Sequence, residues 1–309
     1  MPNRHRWGIL MIGKPDLCGP VLDILARLHQ KYQLTFSLSA AALGQFTPDQ
    51  TDQIRKCPYI ITEPAESVLT HCGYILSFGG DGTLLRTARL IGKRETPIIG
   101  VNFGKLGFLT EINPDELDVL VPQVLNGDQV IENRMVLQSV VSLPDQRPVP
   151  NGNFWAVNDV VIDKSGYSRL ISIELRAGDN YLGSYRADGV IIATPAGSTG
   201  YSLASGGPIM HPALNSILIT PICPHSLTVR PLVIPATETV NIIATTQFHK
   251  ILVAADGQGQ EYPYETIHIT VERAHEQVRI VKNTSRTYFD VLRSKFLWTN
   301  DVRSTDSKE

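Results

Sequence analysis

From Trp7 to about Leu125, short apolar runs alternate with stretches whose apolar residues recur at helical spacing. Trp7 to Ile12 reads as a strand and Gly13-Lys14-Pro15 as a turn, followed by a helix over Val21 to Tyr32 with Val21, Leu22, Leu25 and Leu28 on one face. Further strands are predicted over Leu34 to Leu38, Tyr74 to Phe78 and Pro97 to Asn102. One helix is predicted to be capped by Thr83 and to carry Leu84, Leu85, Ala88 and Leu90; another starts at Asn113-Pro114, ahead of acidic first-turn residues. Between Leu38 and Tyr74 the pattern is ambiguous. Alternating strands and helices predict a Rossmann-like parallel sheet covered by helices, with ligands beyond the carboxyl ends of its strands.

Near Ile131 to Met135 the character of the chain changes. Short alternating or β-branched runs follow, separated by Gly, Pro, Asn and Asp: Leu137 to Leu143, Trp155 to Ile162, Arg169 to Arg176, Tyr181 to Tyr185, Val190 to Thr194, Val240 to Thr245, Ile251 to Ala254, Ile267 to Glu272 and Val278 to Val281. Ala177-Gly178-Asp179-Asn180 reads as a hairpin turn. After Asn283 the pattern is helical again, with Phe289, Leu292 and Phe296 on one face of a segment ending near Trp298 and expected to pack on the first domain. The expected organisation is an α/β domain from residues 1–134 and 285–309, plus a mostly β, sandwich-like domain from 135–284. No internal repeat is evident, and only the terminal STDSKE reads as disordered.

The 309 residues, 42% hydrophobic and 19% charged, suit a soluble protein with chain enough for two cores. A net charge of -2 gives no field for nucleic acid or anionic membrane, so the expected partners are small molecules and further copies of the chain. No apolar run approaches the ~18 residues of a membrane span, and WGILMIG is too short for a signal-peptide core, which implies a cytoplasmic protein. Cys18, Cys57, Cys72 and Cys223 lack the spacing of a metal site or a disulfide framework, and the eight histidines are scattered.

Candidate chemistry concentrates in three stretches. In YILSFGGDGTLLRTAR, Tyr74 to Arg89, a strand enters the glycine turn Gly79-Gly80-Asp81-Gly82 and a helix leaves it. Glycines let the backbone approach a ligand, and the first helical amides attract an anion, phosphate best of all. Asp81 conflicts with that. It is either the cap of a tight turn or a phosphotransferase carboxylate that accepts a proton or helps to place Mg2+. In VNFGKLGFLTE, Val101 to Glu111, Gly104 and Gly107 flank Lys105; this turn either lines the same crevice or packs Phe103 and Phe108 on the core. The third stretch, RADGVIIATPAGSTGYSLASGGP, carries more small and hydroxylated residues than a connection needs. Hydroxyls and free amides suit a ribose, an amide or a phosphate, and Tyr201 offers a face for a ring.

GGDGT after a strand resembles the diphosphate-binding turn of NAD kinases, of diacylglycerol and sphingosine kinases and, in variant form, of phosphofructokinases. VNFGKLGFLT is similar, nearly residue for residue, to a segment of bacterial NAD kinases. DGVIIATPAGSTGYSLASGGPI fits the hallmark segment of the NAD kinase family, which the lipid kinases lack. Val157-Asn158-Asp159-Val160 stands where that family has an Asn-Glu pair, and TPICPHSLTVR, Thr220 to Arg230, resembles its TPICPHSL stretch. The resemblance spans about Leu76 to Pro235. It implies phosphoryl transfer from ATP, or from a donor such as polyphosphate, to the 2′-hydroxyl of the adenosine ribose of NAD. Asp81 is then the proton acceptor, and Gly79, Gly80, Gly82, Thr83 and Arg86 form the phosphate turn. Asn158 and Asp159 hold the nucleoside. Arg186, Asp188, Thr199, Gly200, Tyr201, Ser202, Leu203 and Ala204 line the dinucleotide site, with Arg169 and Gln258 nearby.

The same resemblance implies Mg2+ arriving with the nucleotide, and a homodimer or homotetramer. Asp159 is one methylene shorter than the usual Glu, while Ala196 and Gly200 replace a commoner Thr and Ala. A lipid kinase and a non-catalytic nucleotide sensor are the rival readings.

Overall fold

The computed structural model describes residues 3–166, 170–248 and 250–297. Arg169, Trp298 and the STDSKE tail lie outside the described residues. By its internal contacts the chain divides into two units, one running to Asn133 and resuming at Arg279, the other Arg134–Val278.

The first unit opens with β1 (Asn3–Ile12), α1 (Cys18–Tyr32), β2 (Thr35–Ser39), α2 (Pro48–Lys56), β3 (Ile60–Glu63) and α3 (Ala65–His71). It continues through β4 (Cys72–Phe78), α4 (Asp81–Ile91), β5 (Ile98–Val101), α5 (Leu117–Asn126) and β6 (Ile131–Arg134). The ambiguous stretch thus holds a 3-10 helix (Ala40–Gln45), two α-helices and a strand. A capping box starts α2: Thr47 accepts from the Gln50 amide and Gln50 reaches back to the Thr47 amide.

The second unit holds β7 (Leu137–Ser142), β8 (Pro148–Ala156), β9 (Asp159–Lys164), β10 (Ile171–Ala177), β11 (Asn180–Ala187), β12 (Gly189–Ala193) and the single turn α6 (Tyr201–Ala204). β13 (Ser216–Ile222), β14 (Leu232–Pro235), β15 (Val240–Thr245), β16 (Ile251–Ala255), β17 (Gln258–Tyr262) and β18 (Thr266–Arg273) complete it. β19 (Val278–Val281) and α7 (Tyr288–Phe296) then return to the first unit. The return falls before residue 285, because β19 pairs in parallel with β5 through Ile280 and Ile98.

The first sheet has the order β3-β2-β1-β4-β5-β19-β6, and β1 to β5 pair in parallel throughout. On one face Trp7, Ile9, Phe36, Leu76 and Val101 pack with Leu25 and Leu28 of α1 and with Leu120 and Val121 of α5. On the other, Val68 of α3 lies over Gly8, and Leu84 of α4 over Gly100. A sheet covered on both faces demands strands with few polar positions, which is why β4 reads as a continuous apolar run. Because the turn after β4 leaves at the carboxyl edge of parallel strands, Gly79 to Thr83 stands where the alternation predicted a ligand. In α4 the buried residues are Leu84, Thr87, Ala88 and Ile91, whereas Leu90, expected on that face, is exposed. In α7, Tyr288, Val291 and Leu292 are buried and Phe289 is exposed, so the apolar face is rotated from the predicted one.

The second unit is a sandwich of two antiparallel sheets, β11-β10-β15-β18-β7-β8 and β14-β13-β12-β9-β16-β17. Alternate residues of both, among them Leu137, Ile162, Ile173, Ile192, Ile242, Val253 and Ile269, form one core. β12 is buried on both faces, since Met210 and its neighbours cover Ile191 and Ala193. The hairpin predicted at Ala177 to Asn180 joins β10 to β11, with Gly178 at φ +54°. The strand expected over Trp155 to Ile162 is not one strand. It is the end of β8, a corner at Val157-Asn158, and the start of β9 in the opposite sheet.

Candidate active site

Each unit carries part of the predicted constellation. In the first, Gly79 takes φ +146°, a value that L side chains rarely adopt. Its amide donates to the Val101 carbonyl at 2.9 Å, which ties the turn to the neighbouring strand. Gly80 caps α4, and no side chain does so; Thr83, expected to be the cap, stands in the first turn with its hydroxyl against Gly13 and Gly79. The positive end of α4 is therefore open to an anion, and a Cβ at Gly80 or Gly82 would meet nothing within 4 Å. Arg86 lies exposed one turn further on.

Asp81 is neither a cap of its own helix nor a loose carboxylate. Oδ1 accepts from the amides of Leu109 (3.1 Å) and Thr110 (3.0 Å) and from the Thr110 hydroxyl (2.9 Å), while Oδ2 accepts from the Phe108 amide (2.8 Å). The second glycine stretch is thus folded around this carboxylate. It is braced behind by Asn102, whose Nδ2 donates to the Lys105 carbonyl at 2.7 Å and whose Oδ1 accepts from the Gly104 amide at 3.0 Å. Phe108 packs on Tyr288 and Phe296 and Phe103 on the core of the first unit, as the packing reading of this turn expected. Gly107 leaves no latitude: a Cβ there would stand 1.8 Å from Asp81 Oδ1.

In the second unit, Asn158 and Asp159 form the corner between β8 and β9, and the loop after β12 is sewn to it. Thr194 donates its hydroxyl to the Val157 carbonyl (2.6 Å) and its amide to the Asn158 carbonyl (2.8 Å), while the Gly197 amide donates to Thr194 Oγ1 (3.0 Å). Gly197 packs so tightly that a Cβ would lie 2.1 Å from the Asn158 carbonyl oxygen. A Cβ on Gly200 would be 3.8 Å from Asp159 Oδ2 and 3.9 Å from Asn158 Nδ2, so these three positions converge. Asn158 Oδ1 is buried with no hydrogen-bond partner among the described residues.

Between Gly197 and Ala204 the exposed positions are Gly200, Tyr201 and Ala204, with Thr199 and Leu203 half-buried. Ser202 is fully buried and exchanges a hydrogen bond with Thr220 Oγ1 at 2.7 Å, so its hydroxyl holds the loop rather than facing outward. Asp188 pairs with Lys164 at 2.6 Å, and Tyr201 stands within the field of Asp163, Asp188 and Asp159. Arg186 is exposed at the end of β11, and Gln258 begins β17 just past the β16–β17 turn. Lys164 and Asp256 were not among the predicted residues. The signal for Asp256 was available in Asp256-Gly257 between two strand-like runs, a two-residue hairpin turn. Its carboxylate accepts from the amides of Val157 (2.9 Å), Asn158 (2.8 Å) and Asp159 (3.2 Å).

Family profiles match both halves: the "ATP-NAD kinase N-terminal domain" over residues 29–129 and the "ATP-NAD kinase C-terminal domain" over residues 157–283. An NAD kinase of Geotalea daltonii is 41% identical over 78% of this chain and 84% of its own, and one of Gemmatimonas aurantiaca 46% identical over 72% and 77%. The chain belongs to the NAD kinase family. The family match begins earlier and ends later than the stretch from Leu76 to Pro235 that resembles it by motif. Among solved structures, yeast NADH kinase complexed with NADH has the same fold, with a TM-score of 0.84 at 22% identity over 97% of this chain and 89% of its own. An NAD kinase from Archaeoglobus fulgidus in complex with ATP gives 0.67 at 25% identity, covering 94% and 99%. The N-terminal match contains the Asp81 turn and its Phe108–Thr110 partner; the C-terminal match contains the corner, the loop and Asp256.

Two outcomes are expected. Gly107→Ala drives a methyl group into Asp81 and breaks hydrogen bonds to a charged acceptor, so thermal or urea unfolding should register a loss of at least about 2 kcal/mol. Asp159 is buried, and burial first, then the charge of Asp256, push its pKa up to about 7. A carboxyl raised in this way binds more protons folded than unfolded, so stability from this group is full near pH 4 and is lost as pH rises towards 7. Asp159→Asn should therefore raise Tm most at pH 8, with the gain shrinking towards pH 4.

Proposed function

We propose that this chain transfers the terminal phosphoryl group of ATP, or of a related donor such as polyphosphate, to the 2′-hydroxyl of the adenosine ribose of NAD, giving NADP. The observation that carries the reading is the open glycine turn with a carboxylate fixed beside it. The amides at the start of α4 and the glycines before them suit a polyphosphate chain, and the Phe108–Thr110 turn holds the Asp81 carboxylate next to them. In the second unit, the unpartnered Asn158 Oδ1, Asp159 and exposed Tyr201 suit a nucleoside with its hydroxyls and ring. Arg186, Asp188, Thr199, Gly200, Leu203, Ala204 and Gln258 are assigned to the same dinucleotide. Ser202 supports the loop from beneath.

The ribose oxygen attacks the terminal phosphorus, the bond from that phosphorus to the bridging oxygen breaks, and ADP leaves with the electron pair. The hydroxyl proton passes to Asp81. A carboxylate is too weak a base to remove it from a ribose hydroxyl beforehand, so transfer accompanies formation of the O–P bond. Oδ2, with a single amide partner, is the oxygen left with room for it, while the bonds to Oδ1 hold the group in register. Among the described residues no cluster of three His, Cys, Asp or Glu side chains could cage a metal. That arrangement suits a divalent ion carried on the donor's phosphates, where it would neutralise charge.

Among the described residues no helix is long and apolar enough to cross a membrane, and we assign the reaction to the cytoplasm. We also propose a homodimer or homotetramer. Edge strand β14 exposes Leu232 (42%) and Val233 (46%) beside Leu227 (93%), and edge strand β11 exposes Tyr181 (57%), which gives a second copy an apolar surface to cover.

A coupled assay with NAD, Mg2+ and ATP, run beside NADH and polyphosphate, should yield NADP. Asp81→Asn should keep NAD binding by calorimetry while turnover falls by ~10^2 to 10^4; near-normal turnover would remove Asp81 from this role. Sedimentation velocity should find a dimer or larger, with Leu227→Asp shifting it towards monomer; a monomeric parent chain would end the assembly proposal.

A further inference from the structure

The corner at Val157-Asn158-Asp159 is where the chain leaves one sheet of the sandwich for the other. Thr194 holds the carbonyls of Val157 and Asn158, and the β16–β17 hairpin holds the amides of all three residues. Ala255 pairs with Gln258, leaving Asp256 and Gly257 as a two-residue turn with φ of +46° and +77°. Both central residues of this turn type need positive φ, and Asp is among the few side chains that tolerate it. The tip reaches the corner through four hydrogen bonds. Three run from the consecutive amides of Val157, Asn158 and Asp159 into the Asp256 carboxylate, and the fourth runs from the Asp256 amide to the Asp159 carbonyl at 3.0 Å.

Successive amides turned to one side form a concave anion site, here filled by the protein's own carboxylate. With the backbone of three residues fixed from behind, the Asn158 and Asp159 side chains are presented together beside Gly200. Nothing in this arrangement puts Asp256 itself on a ligand.

We propose that Asp256 is a positioning residue for dinucleotide binding: it acts through the backbone of residues 157–159 to set the two side chains that hold the nucleoside. The inference rests on the NAD kinase reading above. It also explains an apparent fault in the site, a buried Asp159 placed near another carboxylate. The charge that fixes the corner is the charge that Asp159 feels. The groups facing Asp159 from the elements packed on it are Asp256 on the hairpin and Tyr201 on the loop.

The test uses the full chain and two substitutions. Asp256→Asn keeps the size of the side chain but sets an NH2 against backbone N–H donors and removes the charge. Asp256→Glu keeps the charge but moves the carboxylate by one methylene, which guards against an Asn variant that does not fold. For Asp256→Asn, KM for NAD should rise ~10- to 100-fold with KM for ATP unchanged. The parent chain's NAD KM profile should show an inflection near pH 7 from Asp159, and Asp256→Asn should move it to lower pH. Asp256→Glu should raise the NAD KM several-fold and leave the inflection in place. A folded variant of either kind with the parent NAD KM overturns the inference, as does a lowered Tm with the KM values and the pH profile unmoved. NAD binding by calorimetry is measured alongside. A parent chain that makes no NADP from any donor defeats the kinase reading alone, since the binding arm still decides the role of Asp256.

Discussion

A carboxylate that accepts three consecutive backbone amides is the constraint on which the first unit's glycine turn depends. Glycine-rich turns gain their reach by giving up side chains, and with them most of what holds a backbone in place. Asp81 supplies the missing rigidity: it belongs to the first turn of α4, yet its oxygens are occupied by the Phe108–Thr110 turn that follows β5. Two strand ends are thereby locked to each other. The price in sequence freedom is visible at Gly107 and Gly79, where any side chain collides with its surroundings. The second unit repeats the solution with Asp256 and the amides of residues 157–159.

The apparent conflict between a phosphate cradle and a negative charge is resolved by the same geometry. Donors aimed at Asp81 come from the side of the Phe108–Thr110 turn, whereas the uncapped end of α4 and the open flanks of Gly80 and Gly82 remain for an anion. The hydrogen bonds keep the carboxylate charged, while the partial positive charges of the donors offset part of its field at a neighbouring anion. A group held in this way also needs little rearrangement when a proton arrives.

Much of this was legible in the sequence. The run Tyr74–Phe78 announces a buried parallel strand because it is apolar on both faces but for Ser77, whose hydroxyl is bonded to Thr87, and Asn113-Pro114 with acidic residues in the first turn announces a helix start. The ends of elements were less so. Thr83 looks like a cap, but Gly80 takes the extended conformation that a cap requires and leaves Thr83 to fill the space beside Gly13. Trp155 to Ile162 looks like one strand because both faces of a sandwich ask for the same apolar residues, so the change of sheet leaves no mark in hydrophobicity. Asn158 and Asp159 were therefore recognised by resemblance, not by pattern. Asp256 was hidden for a different reason: its turn chemistry is local, but its partners lie almost a hundred residues earlier.

The order of strands in the first sheet has a consequence for how the protein is made. β19 sits between β5 and β6, so their facing edges stay without a partner until the ribosome has delivered the chain as far as Val281. By then every strand of the sandwich has emerged. The half that carries the glycine turn must therefore wait, with two sheet edges open to stray pairing, while the later half is already able to fold. Native closure of that gap joins segments about 180 residues apart, a slow kind of contact to form.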